Sequence, residues 1–280
     1  MRSAMRPRLA SALAPVIESA LTREAAFRHR RLGFRVVLGT LFLIILWASA
    51  ARINISPAAL VQGVPNMFDF FVRMFPPDLS FFGLLIEPAI ETVQIAAWGT
   101  LLAVIGSAPL ALLAAHTTSP HFVLYSITRI FLNLLRSINE LIYALILVSA
   151  VGLGPLPGIL AIALHATGML AKFVAEEIEH VDRGPVEAVQ AAGAGRTQII
   201  MFAILPQVLP AVFGYILYRL DVSIRSATVL GLVGAGGLGF SLIKTMKLFR
   251  YHETAACILV IIVLIWAADW ISAYLRKKVL

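Results

Sequence analysis

Between Thr92 and Ala115 the chain reads TVQIAAWGTLLAVIGSAPLALLAA, 24 residues without one charged side chain. As a helix this stretch is about 36 Å long, and about 20 apolar residues suffice to cross the hydrocarbon core of a bilayer. The composition agrees with a membrane reading. Of 280 residues, 60% are apolar and only 14% are charged, and the mean hydropathy is +0.89. Soluble domains carry about 25% charged residues; this chain has too few to cover so much apolar side chain in water. The expected fold class is therefore an all-α, multi-pass membrane protein. Disorder, collagen, disulfide scaffolds and most soluble enzyme folds are excluded. The single cysteine, Cys257, leaves no intramolecular disulfide and no cysteine-built metal site.

Outward from this span, five further apolar runs complete a set of six: 36–51 (extended by Gly33 and Phe34), 121–150, 159–174 running on toward Glu179, 206–233 and 254–274. The intervening stretch 52–88 contains Pro57, Pro65, Pro76, Pro77 and Pro88, which argue against one long helix. GLGPLPG at 152–158 marks a turn between spans. Residues 1–32 form a basic tail with Arg2, Arg6, Arg8, Arg23, Arg28, Arg30 and Arg31. Beside a span, such a tail is an inside-facing flank rather than a nucleic-acid arm. Arg276, Lys277 and Lys278 end the chain with the same sign. Six spans and two basic ends put both termini in the cytoplasm, with residues 33–280 forming the transmembrane domain. The 180–198 loop is then cytoplasmic. Lys244, Lys247 and Arg250 fall outside, where they either snorkel to headgroups or meet an external partner.

GAGGLG at 234–239 fits the dinucleotide pattern G-x-G-x-x-G. That pattern needs a strand before it and an acidic residue about 20 positions on, in a βαβ unit. Here it ends a span, so small residues permitting close packing are the better reading. Neither a P-loop nor an H-E-x-x-H sequence occurs, and no nucleophile–base pair stands out. No catalytic role and no cofactor is expected.

The most informative polar segment is the loop 185–206, with EAVQAAGAGRTQIIMFAILP at 187–206. It reads as a short helix, a glycine break and a second helix. Pro185 suits a first helical turn, and Glu187 complements the helix dipole there. Gly193 or Gly195 can take the left-handed ending that follows a helix. Leu205 and Pro206 lead back into the membrane. A cytoplasmic helix–turn–helix that exposes alanine and isoleucine calls for a partner protein.

This segment resembles the EAA loop of binding-protein-dependent ABC importer permeases, with Glu187, Ala188, Gly193, Leu205 and Pro206 at the motif's spacing. Val189 replaces the second alanine, and Ala203 stands where isoleucine is usual. RSINEL at 136–141, GMLAK at 168–172, GPVEA at 184–188 and RSATVLGLVGAGGLG at 225–239 are similar to the phosphonate-type permeases, over roughly residues 85–275. Asn139 stands where that group usually has proline. The resemblance implies a type I importer permease fold in the bacterial cytoplasmic membrane, with cargo among phosphonate, phosphite or phosphate. It implies a partner ABC ATPase dimer held by the coupling loop, an extracytoplasmic phosphonate-binding protein, and a second permease subunit. A permease for another solute, or a membrane scaffold or sensor, are the alternatives.

Charges inside spans usually face a bundle interior or a water path. Asp221 and Arg225 stand four apart and can pair on one helix face. Arg219 has no acidic residue at helical spacing, so it serves either an anion pathway or a salt bridge to another span. Arg129, Asn133, Arg136 and Glu140 recur as a polar stripe on the third span, fitting a gate, a subunit seam, or snorkelling to headgroups. Arg219, Asp221, Arg225, Arg136 and Glu140 are the substrate-pathway candidates.

Overall fold

The computed structural model describes residue 35, residues 37–53 and residues 57–279. The basic tail 1–32 and the expected start of the first span lie outside the described residues. Every regular element among the described residues is helical. Two compact units divide the chain, one up to Phe68 and one from Asp69 onward. The first contains α1 (Val37–Arg52), whose apolar side chains are exposed, and most of α2 (Pro57–Met74).

The second unit carries the bundle: α3 (Phe82–Ala114), α4 (Phe122–Ser137), α5 (Glu140–Val151), α6 (Pro155–Glu179), α7 (Arg183–Ala191), α8 (Arg196–Ile199), α9 (Leu205–Gly231), α10 (Gly237–Lys247) and α11 (Tyr251–Val279). Among the described residues, four stretches are long and apolar enough to cross a membrane: Leu79–Ala114, Pro155–Glu179, Arg196–Gly231 and Tyr251–Lys278. α1 is apolar but shorter. The expected third span is not one helix. α4 and α5 meet at 83° across Ile138 and Asn139. Asn139 adopts an extended backbone and its side chain accepts the Leu141 N–H at 2.9 Å. That cap starts a new helix inside the 121–150 run. As the prolines of 52–88 led one to expect, 57–114 is not one helix: α2 and α3 are separated by the turn around Pro76 and Pro77 and a short 3-10 helix, Leu79–Phe81.

Small residues set the closest helix approaches. A Cβ on Gly99 of α3 would lie 2.7 Å from Ile162 Cγ2 of α6, and one on Gly168 would lie 3.0 Å from the backbone of α4's last turn. Two buried apolar layers follow, one around Ile95, Ile162, Ile224 and Leu230, the other around Leu132, Ile178, Ile204 and Val208. The 234–239 glycines serve the close packing expected of them. Gly234, Gly236 and Gly237 have positive φ, and a Cβ on Gly239 would lie 1.9 Å from the Thr228 carbonyl oxygen. The α10 N-terminus is capped from α3: Gly237 N–H donates to Glu91 at 3.0 Å, and Leu238 N–H to Thr92 Oγ1 at 2.9 Å. Gly239→Ala is expected to force α9 and α10 apart at a cost of about 1–3 kcal/mol. A lower melting temperature of the purified variant checks this; an unchanged one would contradict the close approach.

Candidate functional site

The 182–206 segment is built from local signals. Asp182 caps α7 by accepting the Gly184 N–H at 3.1 Å, so the helix begins two residues before Pro185. Its last residues pass into Gly193 at φ +82°, the left-handed ending. Gly195 is instead extended and starts α8, its N–H donating to Gln198 Oε1 at 2.8 Å. A π-helical turn, Ile200–Ile204, then leads into α9 at Leu205 and Pro206. Pro206 has no N–H to offer the preceding turn, so the ladder shifts register there. Glu187, Ala188, Gly193, Leu205 and Pro206 are all exposed. Val186, Ile199 and Ile200 turn inward against the second apolar layer.

Polar contacts fasten this segment, and the end of α6 that precedes it, to the bundle. Arg196 donates to the carbonyls of Thr118 (3.0 Å) and Ser119 (2.7 Å) in the α3–α4 connection. The Asp182 N–H donates to Gln207 Oε1 at 3.0 Å. Glu179, the last residue of α6, accepts the His116 N–H at 2.7 Å and Arg129 Nη2 on both oxygens at 3.0 Å. These contacts tie α8 to the α3–α4 connection, the start of α7 to α9, and the end of α6 to α3 and α4.

The second cluster lies within the spans. Arg219 is buried, and its Nη2 donates to Glu140 Oε2 of α5 at 3.0 Å. Glu140's other oxygen accepts the Ser226 hydroxyl. Arg225 bridges Asp221 on its own helix and Asp269 of α11, the latter at 3.0 Å. The i, i+4 pair expected of Asp221 and Arg225 is therefore present, joined by an acid 44 residues away. Arg225 and Asp269 remain about half exposed on the chain's own surface. Ionic groups inside membrane spans usually face protein or a water path.

The Arg129–Glu140 stripe is not continuous, because the break at Ile138–Asn139 divides it. Arg129 is drawn to Glu179, while Glu140 turns to Arg219. Asn133 is exposed. Arg136 lies in the last turn of α4, exposed and with no ion pair among the described residues, its charge complementing the helix C-terminus. The inter-helix partners of Arg219, Arg225 and Arg196 were not readable from spacing. The one available signal was a charge inside a span without a local partner.

Long apolar helices, a half-exposed Arg225–Asp269 pair on two of them, and an exposed helix–turn–helix fastened to the bundle fit a membrane transport permease. The chain belongs to the family described as binding-protein-dependent transport system inner membrane component, which matches residues 107–280. It is thus a multi-pass permease of the type that works with a separate ATPase and a substrate-binding protein. It is 41% identical over 248 residues to the phosphite transport system permease protein PtxC of Stutzerimonas stutzeri, covering 89% of each chain. It is 39% identical over 232 residues to the phosphate-import permease protein PhnE of Mycolicibacterium smegmatis, covering 83% of this chain and 44% of that one. Its fold is similar to that of the inward-facing MetNI methionine ABC transporter, with a TM-score of 0.62 at 20% identity, over 72% of this chain and 99% of that one.

Proposed function

We propose that this permease imports a small phosphorus oxyanion, one of phosphite, phosphonate or phosphate, through a pathway formed with a second permease subunit, a second copy of itself. The near full-length similarity to a phosphite permease carries this reading. A permanently charged arginine buried in the spans agrees with an anionic cargo. An ATPase dimer docks on the exposed surface of α7 and α8, around Glu187, Ala188 and Gly193, with Leu205 and Pro206 passing the motion into α9. An external binding protein delivers the anion. Arg219, Asp221, Arg225, Arg136 and Glu140 line or gate its path. The basic tail 1–32 and the C-terminus lie in the cytoplasm.

Cells stripped of their own phosphorus-oxyanion uptake, and given this chain with its ATPase and binding protein, are expected to accumulate labelled phosphite or methylphosphonate. Uptake of methionine alone would defeat the reading. Orientation is tested in a Cys257→Ala background. Leu79→Cys, at an exposed site, is expected to react with an impermeant thiol reagent from outside, and Arg8→Cys is not. The opposite pattern would put the coupling loop beyond the reach of ATP.

A further inference from the structure

Arg219 carries its charge in one of the least accessible places of the chain, 2% exposed, yet its hydrogen bonding is incomplete. A guanidinium offers five N–H donors. Nη2 meets Glu140 Oε2 at 3.0 Å, Nη1 lies 3.9 Å from the Met169 sulfur, and Nε has no partner. Unpaired buried donors are costly, and sulfur is a weak acceptor. One carboxylate oxygen does not satisfy what this fork can hold. The second Glu140 oxygen is held by Ser226, two turns further along the same face of α9. A guanidinium fork and a hydroxyl thus converge on a single two-oxygen anion. A tetrahedral phosphoryl group presents those two oxygens and a third, suited to bidentate contact with arginine.

Glu140 is also placed so that it can leave. It is the first residue of α5 and follows the extended Asn139, so rotating its side chain interrupts no helical hydrogen bond. The corner itself is held by other groups. His165 Nδ1 contacts the Ile138 carbonyl at 3.0 Å, Asn139 caps Leu141, and the Tyr143 hydroxyl donates to the Leu135 carbonyl at 3.0 Å. The Glu140 carboxylate is not needed to keep the 83° bend.

We propose that Glu140 is the resting occupant of an oxyanion site formed by Arg219 and Ser226, and that the transported anion displaces it there. The identity of that anion rests on the function proposed above; the existence of the site does not. Displacement gives a permease a useful balance. The internal carboxylate keeps α5 closed on α9 when no cargo is present. Once displaced, it competes for the same donors and speeds release, as passage requires binding that is weak enough to reverse.

The test is a thermal titration of the purified permease in phospholipid-free detergent, with ionic strength held constant by chloride. Glu140→Gln removes the competing charge and keeps the side-chain shape. Inorganic phosphite or methylphosphonate is expected to raise its Tm by about 5–10 °C at a hundredfold excess over the dissociation constant. The wild type is expected to respond only at concentrations roughly tenfold higher or more, an allowance for the carboxylate's competition. Adding Arg219→Met to Glu140→Gln is expected to abolish the response. Should Glu140→Gln not accumulate, Glu140→Asp keeps the charge but shortens its reach, and phosphite is expected to act on it at lower concentration than on the wild type. Equal responses of variant and wild type, or a response that survives Arg219→Met, would overturn the proposal. So would a response to phosphatidylglycerol micelles with none to phosphite, which would mark a lipid-headgroup site. Phosphite uptake by the wild type with no Arg219-dependent response discards this site and spares the substrate reading. An Arg219-dependent response without uptake of any phosphorus oxyanion does the reverse.

Discussion

Arg219→Gln is expected to lower the stability of the folded permease by about 3–5 kcal/mol, because it leaves the Glu140 carboxylate in a poorly solvated place without its counter-charge. The pair is well shielded, with the arginine side chain 3% and the glutamate 19% exposed, so water screens it little. Ser226 would still donate to Glu140, but one hydroxyl does not replace a cation. Most of the loss comes from the abandoned carboxylate, so neutralising it as well is expected to recover much of it. The Arg219→Gln, Glu140→Gln double variant should melt well above Arg219→Gln alone. Thermal melts of the wild type, both single variants and the double variant close the cycle and isolate the coupling between the two positions. Additive single effects, or an unchanged Tm in Arg219→Gln, would mean that Glu140 finds another counter-charge. Arg219→Lys is expected to fall in between, since a point charge cannot reproduce the planar fork.

Gly193→Val is expected to weaken coupling strongly while leaving the bundle assembled. Gly193 sits at φ +82°, with nothing within 4 Å of where a Cβ would go. The penalty is therefore backbone strain, about 1–2 kcal/mol for an ordinary residue and greater for a β-branched one. α7 relieves it by changing how it meets α8. Arg196 and Gln207 keep the segment attached to the bundle, so the disturbance stays in the exposed face that an ATPase would contact. Uptake is expected to fall roughly thirtyfold, the equivalent of about 2 kcal/mol of docking free energy. The melting temperature of the permease alone should change by only a few degrees. Gly193→Ala is expected to show a milder form of the same defect. Full uptake in Gly193→Val, measured with equal amounts of permease in the membrane, would remove this loop from the coupling path.

The parts of the molecule that were legible in advance depend on near neighbours in the chain. The apolar runs at 92–115, 159–179, 206–233 and 254–274 correspond to α3, α6, α9 and α11, although α3 starts ten residues earlier, at Phe82. The helix–glycine–helix at 185–206 is present, with the left-handed ending at Gly193. The Asp221–Arg225 pair forms because four residues return a helix to the same face. The run 121–150 carries two helices, α4 and α5, that pass the length and apolarity of a span together but meet at 83°. RSINE at 136–140 is a polar interruption in that run, but hydropathy does not tell a polar stripe from the helix break that Asn139 makes by capping Leu141.

The sequence by itself determined that this chain lives in a membrane, roughly where its spans run, and which loop leaves the bundle. Each of these follows from the side chains' transfer to lipid or from backbone preferences within a few residues. The tertiary structure alone decided which charges meet. Glu140 and Arg219 are 79 residues apart, Arg225 and Asp269 are 44 apart, and Arg196 and Thr118 are 78 apart. Their pairing depends on helix order, on the 83° corner between α4 and α5, and on approaches that Gly99 and Gly168 permit by lacking a Cβ. An ion pair is set by distances of a few ångströms between helices, and those distances exist only once the helices have packed.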